Sequence, residues 1–334
     1  ITVCDDLDRP VRTMDPLGNS VESTYDAAGR LVAVKDANGK ETAYVYDDLD
    51  RLVELRDPLN GTLVFAYDLN GNRLALTDPN GNTTRFEYDA MNRVTAESDP
   101  AGKGFRYTYD AAGNLLTRLD TRGNTTAYAY YRDRRLKTVT YPDASTVSFT
   151  YDANGNRLTM ADASGNTAWA YDELDRVTGV TDPFGNAVGY AYDQTDDLRK
   201  RIVYPGGRNV DYTFDANGRL ASLTDWAGHT FTHSYHPDGS VKDLTYPNGC
   251  VEKRAYYANG RLHTLAHEKA GGEKIVSYAY YYDRNGNITG MDRADAVPRG
   301  FQAELTNYSY NSANEIRTAG DNAFTFDASG NQAS

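Results

Sequence analysis

At 334 residues and a net charge of −12, the chain lacks the basic face that nucleic acids and anionic membrane surfaces select. Hydrophobic residues make up 40% of it, and 27 residues are Tyr. So much of the apolar surface ends in a hydroxyl that a single-layer sheet fits better than a thick two-layer core. No run of 18 apolar residues and no basic stretch leading into an apolar one occurs, so membrane insertion is not expected and no targeting segment is visible.

A chain of this length would ordinarily form about two domains, but a tandem repeat overrides that expectation. Ile1-Thr2-Val3-Cys4 begins inside a repeat, and an aromatic anchor then recurs. Cys4, Tyr25, Tyr46, Tyr67, Tyr88, Tyr109, Tyr130 and Tyr151 are spaced by 21 without exception. Tyr171, Tyr192, Phe214, Tyr235 and Tyr256 follow with small shifts, and Tyr282, Tyr310 and Phe326 with larger ones. A fixed period of this size marks an array whose units stack on their neighbours. The expected organisation is a single array over 1–334, regular through 256 and irregular with longer loops over 257–334, cut at both ends from a longer protein.

Within each repeat the elements come in a fixed order. Four residues after the anchor stands Gly, Asn or Asp, residues that tolerate a positive φ. The glycines are Gly29, Gly71, Gly113, Gly155, Gly218, Gly239, Gly260, Gly286 and Gly330; Asp8, Asp50, Asn92, Asp175, Asp196 and Asn314 take other copies, and only Arg134 departs. This predicts a hairpin loop built on a type I turn closed by a left-handed residue. Next comes a strand with apolar residues six and nine after the anchor (Leu52 and Leu55). These fall on opposite faces of a flat strand, so either a bulge intervenes or both faces are partly covered. Eleven residues after the anchor a second turn follows, as in Asp78-Pro79-Asn80-Gly81. The second strand alternates with period two and carries an aromatic residue two before the anchor (Tyr44, Phe65, Tyr107, Phe149, Trp169). Tyr25, Tyr46, Tyr67, Tyr88, Tyr109, Tyr151, Tyr171 and Tyr192 are expected to form an aromatic ladder along the sheet.

Candidate chemistry is sparse. His229, His233, His236, His263 and His267 occupy ladder, turn or strand positions, and His263-Thr264-Leu265-Ala266-His267-Glu268 lacks the order of the helical zinc motif. Asp152-Ala153-Asn154-Gly155-Asn156 lacks the twelve-residue calcium series and its terminal Glu; Asx-turn geometry accounts for the same residues. No nucleophile motif, phosphate loop or dinucleotide fingerprint occurs. Cys4 and Cys250 lie about twelve repeats apart and form no framework. Neither an enzyme nor a cofactor is expected. Lys269 to Lys274 and Met291 to Phe301 interrupt the array and read as surface loops.

Tyr109-Asp110-Ala111-Ala112-Gly113-Asn114-Leu115, with Asp78-Pro79-Asn80-Gly81-Asn82-Thr83-Thr84-Arg85-Phe86-Glu87-Tyr88-Asp89, resembles the RHS or YD repeat over residues 4 to 330. The resemblance implies an all-β fold: tandem β-hairpins in a single-layer spiralling antiparallel ribbon, part of a hollow shell. In bacterial RHS effectors and insecticidal toxin complexes such a shell encloses a toxic polypeptide; in teneurins a similar one supports adhesion. It therefore implies a secreted or cell-surface protein whose partners are the rest of a parent shell and a cargo. The alternative it implies is a ribbon that recognises glycans or a cell-surface protein through exposed Tyr and Trp such as Trp169 and Trp226.

Overall fold

In the computed structural model, which describes residues 1–193, 197–295 and 306–333, the chain is all β. The described residues form 31 strands and no helix. Strand after strand pairs antiparallel with its neighbour in the chain, as Glu41–Tyr46 with Leu52–Arg56, and Leu52–Arg56 with Thr62–Tyr67. Residues 194–196 and 296–305, which include Asp196 and Pro298-Arg299-Gly300, lie outside the described residues, whereas Met291 to Asp295, expected in a loop, belong to the strand Ile288–Asp295.

In most repeats the two turns share one geometry, the second turns after Asp162 and Tyr204 being exceptions. In the first, the Gly29 N–H donates to the Asp26 carbonyl at 3.0 Å, and the Asp26 N–H to the Arg30 carbonyl at 3.0 Å. In the second, Gly39 and Asp36 make the same pair of bonds, at 2.9 and 2.8 Å to Asp36 and Lys40. The residue that exits the turn is left-handed: Gly29 and Gly71 at φ 87°, Asp50 at 60°, Asn92 at 60°. Arg134, the sequence exception, is left-handed as well, at 67°. In the turn after Tyr192 the left-handed residue is Asp197, and the Asp193 N–H reaches the carbonyl of Leu198, so this loop holds one extra residue.

A bulge resolves the choice left open in the first strand. Tyr46 pairs with Leu52 and Val45 with Glu54, which leaves Val53 unopposed. Beyond it Tyr44 faces Leu55. The extra residue turns positions six and nine onto the same face, where they meet the anchor and the aromatic two before it. The same shift precedes Tyr25, Tyr67, Tyr109, Tyr151 and Tyr192 in their hairpins.

No side chain is fully buried among the described residues, and only Ala96, Val139, Phe149, Ile202 and Val210 form a buried apolar set. The chain exposes 20683 Å², whereas a compact protein of this mass would expose roughly 13,600 Å². One sheet layer has no opposing layer to pack against. Its stability rests on ladder hydrogen bonds, cross-strand pairs and the turns.

Contacts divide the chain into two compact units, Ile1–Phe86 with Tyr235–Ser334, and Glu87–Ser234.

Candidate functional site: turn staples and a turn-row seam

In most repeats an Asp follows the anchor and is the hub of its turn. Asp26 Oδ1 accepts from the backbone N–H groups of Ala28 and Arg30, each at 2.9 Å, and Oδ2 accepts from Arg30 Nε at 2.7 Å. The Arg30 guanidinium also donates to the Asp47 carbonyl of the next repeat at 3.1 Å. It lies 5.2 Å from the centroid of the Tyr46 ring, a cation–π contact. The Tyr46 hydroxyl returns the link by donating to the Leu31 carbonyl at 2.9 Å. One Arg and one Tyr thus staple two consecutive repeats.

Arg51 with Tyr67, Arg93 with Tyr109 and Arg176 with Tyr192 repeat the staple, with the guanidinium 4.9, 4.6 and 4.7 Å from the ring centroid. In other copies Asn replaces Arg and closes its own turn: Asn72 and Asn114 donate to Asp68 and Asp110 Oδ2 at 2.8 Å each. The Arg51 side chain holds Asp47 below the usual carboxylate range, and Asn72 does the same for Asp68. For Asp26 the backbone N–H of Arg30 is the largest cause.

The sequence-selected glycines sit at turn exits with φ from 73° at Gly218 to 98° at Gly286; Gly113, Gly155, Gly239 and Gly260 lie between, at 90°, 97°, 90° and 81°. Of the ladder tyrosines, Tyr25, Tyr67, Tyr109, Tyr151, Tyr171 and Tyr192 each donate to a carbonyl of the preceding repeat, at 2.8 to 3.1 Å. Tyr88 ends the strand Thr83–Tyr88 and is half-buried. Among the described residues the turn glycines and the tyrosines recur along the ribbon from repeat to repeat.

The histidines are spread in the same way. His229 Nδ1 lies 3.0 Å from Asp225, His236 Nε2 lies 3.1 Å from the Arg254 carbonyl, and His263 stacks 4.3 Å from Tyr257. Among the described residues no group of three or more His, Cys, Asp or Glu could hold a metal ion. Cys4 and Cys250 are free thiols. Glu252, 8% exposed, is the buried charged residue of the described chain. Arg254 Nε donates to it at 2.7 Å, the Tyr246 hydroxyl lies at 3.4 Å and His267 Nε2 at 3.9 Å. Arg254 stands where other repeats carry an aromatic residue, and its charge compensates the buried carboxylate.

Within the unit of 1–86 and 235–334, two stretches of ribbon meet turn row to turn row. Asn259, at the tip of a first turn, donates to Asp15 Oδ2 of a second turn at 2.9 Å, across 244 residues of sequence. Asn285 donates to Asp36 Oδ2 at 2.6 Å and accepts from the Asn38 N–H at 3.2 Å. The Asn38 side chain donates to Asp283 at 2.9 Å. The Asn259 hydrogen bond is the largest cause that lowers the Asp15 pKa to about 2. Further along, a Cβ at Gly61 would lie 3.1 Å from the Ala328 carbonyl oxygen. First-turn tips therefore seat on second-turn carboxylates.

Seven segments, 5–40, 25–62, 67–103, 109–146, 132–167, 171–208 and 192–230, match the family model described as RHS Repeat, and together they cover more than half of the chain. The chain belongs to the RHS repeat family. Its RHS repeats are 31% identical over 68 residues to a probable deoxyribonuclease RhsB of Dickeya dadantii (strain 3937), a match covering 20% of this chain and 5% of that protein. Among solved structures, TcdB2-TccC3 matches 95% of this RHS chain with a TM-score of 0.77 at 15% identity, over 21% of its own length. The Photorhabdus luminescens Tc holotoxin pore matches 99% with a TM-score of 0.64 at 15% identity, over 23% of its length. The RHS chain thus spans about a fifth of the length of these structures, and the likeness establishes the fold.

The residues that sequence reasoning missed are the staple arginines and the seam asparagines. Arg9, Arg30, Arg51, Arg93 and Arg135 recur five residues after the anchor. That recurrence was a signal, but its meaning depends on a ring in the next repeat.

Proposed function

We propose that this chain is a non-catalytic structural segment of the wall of an RHS toxin or effector shell, one that encloses or presents a polypeptide cargo. The observation that carries the reading is the turn-row seam: hydrogen bonds across some 244 to 249 residues let one stretch of ribbon seat on another, which is how a single-layer ribbon gains wall height. The likeness to TcdB2-TccC3 over 95% of the chain supports the same reading. The turn carboxylates are engaged in closing turns, stapling repeats and joining the seam, which fits a scaffold better than an acid–base site. On this reading 1–334 works as one array within a secreted or surface-exposed parent, and its partners are the rest of that shell and the cargo.

The test is limited proteolysis of the parent polypeptide. A flanking cargo segment should resist protease while this array is folded and be digested once the array is opened by denaturant. Digestion at the same rate in both states defeats the proposal. A second reading, glycan or cell-surface recognition, draws on the exposed Trp226 and Phe184, since aromatic faces stack on sugar rings. Specific binding on a glycan array would favour it.

A further inference from the structure

Asn followed by Gly is the dipeptide most prone to deamidation, because a residue without a Cβ lets its backbone nitrogen approach the preceding side-chain carbonyl. Several first turns carry this pair at one position, three and four after the anchor: Asn70-Gly71, Asn154-Gly155, Asn217-Gly218, Asn259-Gly260 and Asn285-Gly286. Their backbones are held alike. The N–H groups of Gly218, Gly260 and Gly286 donate to the Asp215, Tyr257 and Asp283 carbonyls at 2.9, 2.9 and 3.1 Å. What separates these sites is the Asn side chain.

Asn217 is exposed, whereas Asn259 and Asn285 are half-buried in the seam. Asn259 Nδ2 donates to Asp15 Oδ2 at 2.9 Å. Asn285 is tied through both ends of its amide. Its Nδ2 donates to Asp36 Oδ2 at 2.6 Å and to Asn314 Oδ1 at 3.0 Å, and its Oδ1 accepts from the Asn38 N–H at 3.2 Å. Deamidation requires Cγ to swing onto the nitrogen of the following Gly, so these amides must first let go. The same bonds make the seam sensitive to the product. A carboxylate would stand where an amide donor met Asp15 or Asp36, and two carboxylates in contact repel.

We propose that Asn259 and Asn285 are deamidation sites guarded by the seam, and that their conversion prevents the seam from closing again. The step balances without a cofactor. The Gly nitrogen bonds to Asn Cγ, its proton leaves with the amide nitrogen as ammonia, and a cyclic imide forms. Water then opens the imide to aspartate or isoaspartate, and either product replaces the amide donor with a carboxylate. A closed seam therefore preserves its own amides, while an array that stays open converts them and remains open. Asn217 takes part in none of the seam bonds and serves as the reference. This inference rests on the seam contacts and is independent of the shell reading.

The test holds the whole chain at mildly alkaline pH, where the Gly nitrogen gives up its proton more readily, and follows each Asn-Gly peptide by mass spectrometry. Asn259 and Asn285 should convert more slowly than Asn217 by roughly tenfold or more, the factor that one hydrogen bond to a charged group supplies. In D15S/D36S the turn-leading hydroxyl can still close its own turn but is too short to cross the seam. Both sites should then approach the Asn217 rate; rates that stay low would mean that something else protects them. The variant N259D/N285D carries the product from the start. It should lose hydrogen-exchange protection in 1–86 and 235–295 while 87–234 keeps its own. The parent rates and this variant are read separately, so a D15S/D36S chain that fails to fold leaves both arms standing. Asn259 and Asn285 keeping pace with Asn217 overturns the guarding, and unchanged protection in N259D/N285D overturns the loss of closure.

Discussion

Gly155 and its neighbour Asn154 separate backbone strain from side-chain bonding. Gly155 sits at φ 97°, and no neighbour lies closer than 3.9 Å to where its Cβ would stand, so a substitution there meets strain alone. Gly155→Val should cost on the order of 1–3 kcal/mol, visible as a clear drop in melting temperature. Asn154→Ala removes one exposed hydrogen bond to Asp175 and should cost less; equal shifts would refute the turn assignment. Asp15 tests the seam at the same scale. Its carboxyl is held to about 2 from an ordinary 3.8, first by Asn259. A depressed folded-state pKa contributes stability that is present above the unfolded value and lost as pH falls through the folded one. That contribution should fade between about pH 4 and pH 2. In Asn259→Ala, carboxyl NMR should show Asp15 titrating higher; an unchanged value would mean the Asn259 bond is not made.

The hairpin was largely legible in the sequence because its determinants are local. A positive-φ residue four after the anchor, Pro at the second turn and a period of two in the strand are all readable within about ten residues. The bulge was not. Leu52 and Leu55 share a face only because Val53 is squeezed out of register, and that depends on how the turn delivers the strand to its partner. The staple was half legible: Arg and Asn visibly alternate through Arg51, Asn72, Arg93, Asn114, Arg135 and Asn156, but the consequence lies in Tyr109 for Arg93, sixteen residues on. The alternation yields a ranking. Arg93→Asn should recover the within-turn bond seen at Asn114 and lose only the inter-repeat contacts, whereas Arg93→Ala loses both. Chemical denaturation should therefore order the stabilities as parent, Arg93→Asn, Arg93→Ala. If Asn and Ala prove equal, the within-turn bond contributes nothing.

At the scale of the molecule, the seam was invisible to sequence reasoning. It joins residues 244 to 249 positions apart, Asn259 with Asp15 and Asn285 with Asp36. No local pattern encodes a contact at that separation. Because arrays are stabilised through nearest neighbours, a seam between distant repeats should raise the cooperativity of the stretches it joins. Hydrogen exchange on the double variant N259A/N285A is expected to show lost protection in 1–86 and 235–295, with 87–234 unchanged. Uniform loss across the chain would mean that the seam is not a local device.

The thinness of the sheet has a calorimetric consequence. Heat capacity rises on unfolding mainly because apolar surface becomes hydrated, and globular proteins show about 12–15 cal/mol/K per residue. A protein that already exposes 20683 Å² when folded has less apolar area left to hydrate. Its increment should fall below that range, which scanning calorimetry can measure directly. A small increment flattens the curve of stability against temperature. A ribbon one sheet thick would then gain little strength near its optimum and give up little on either side, in the cold as in the heat.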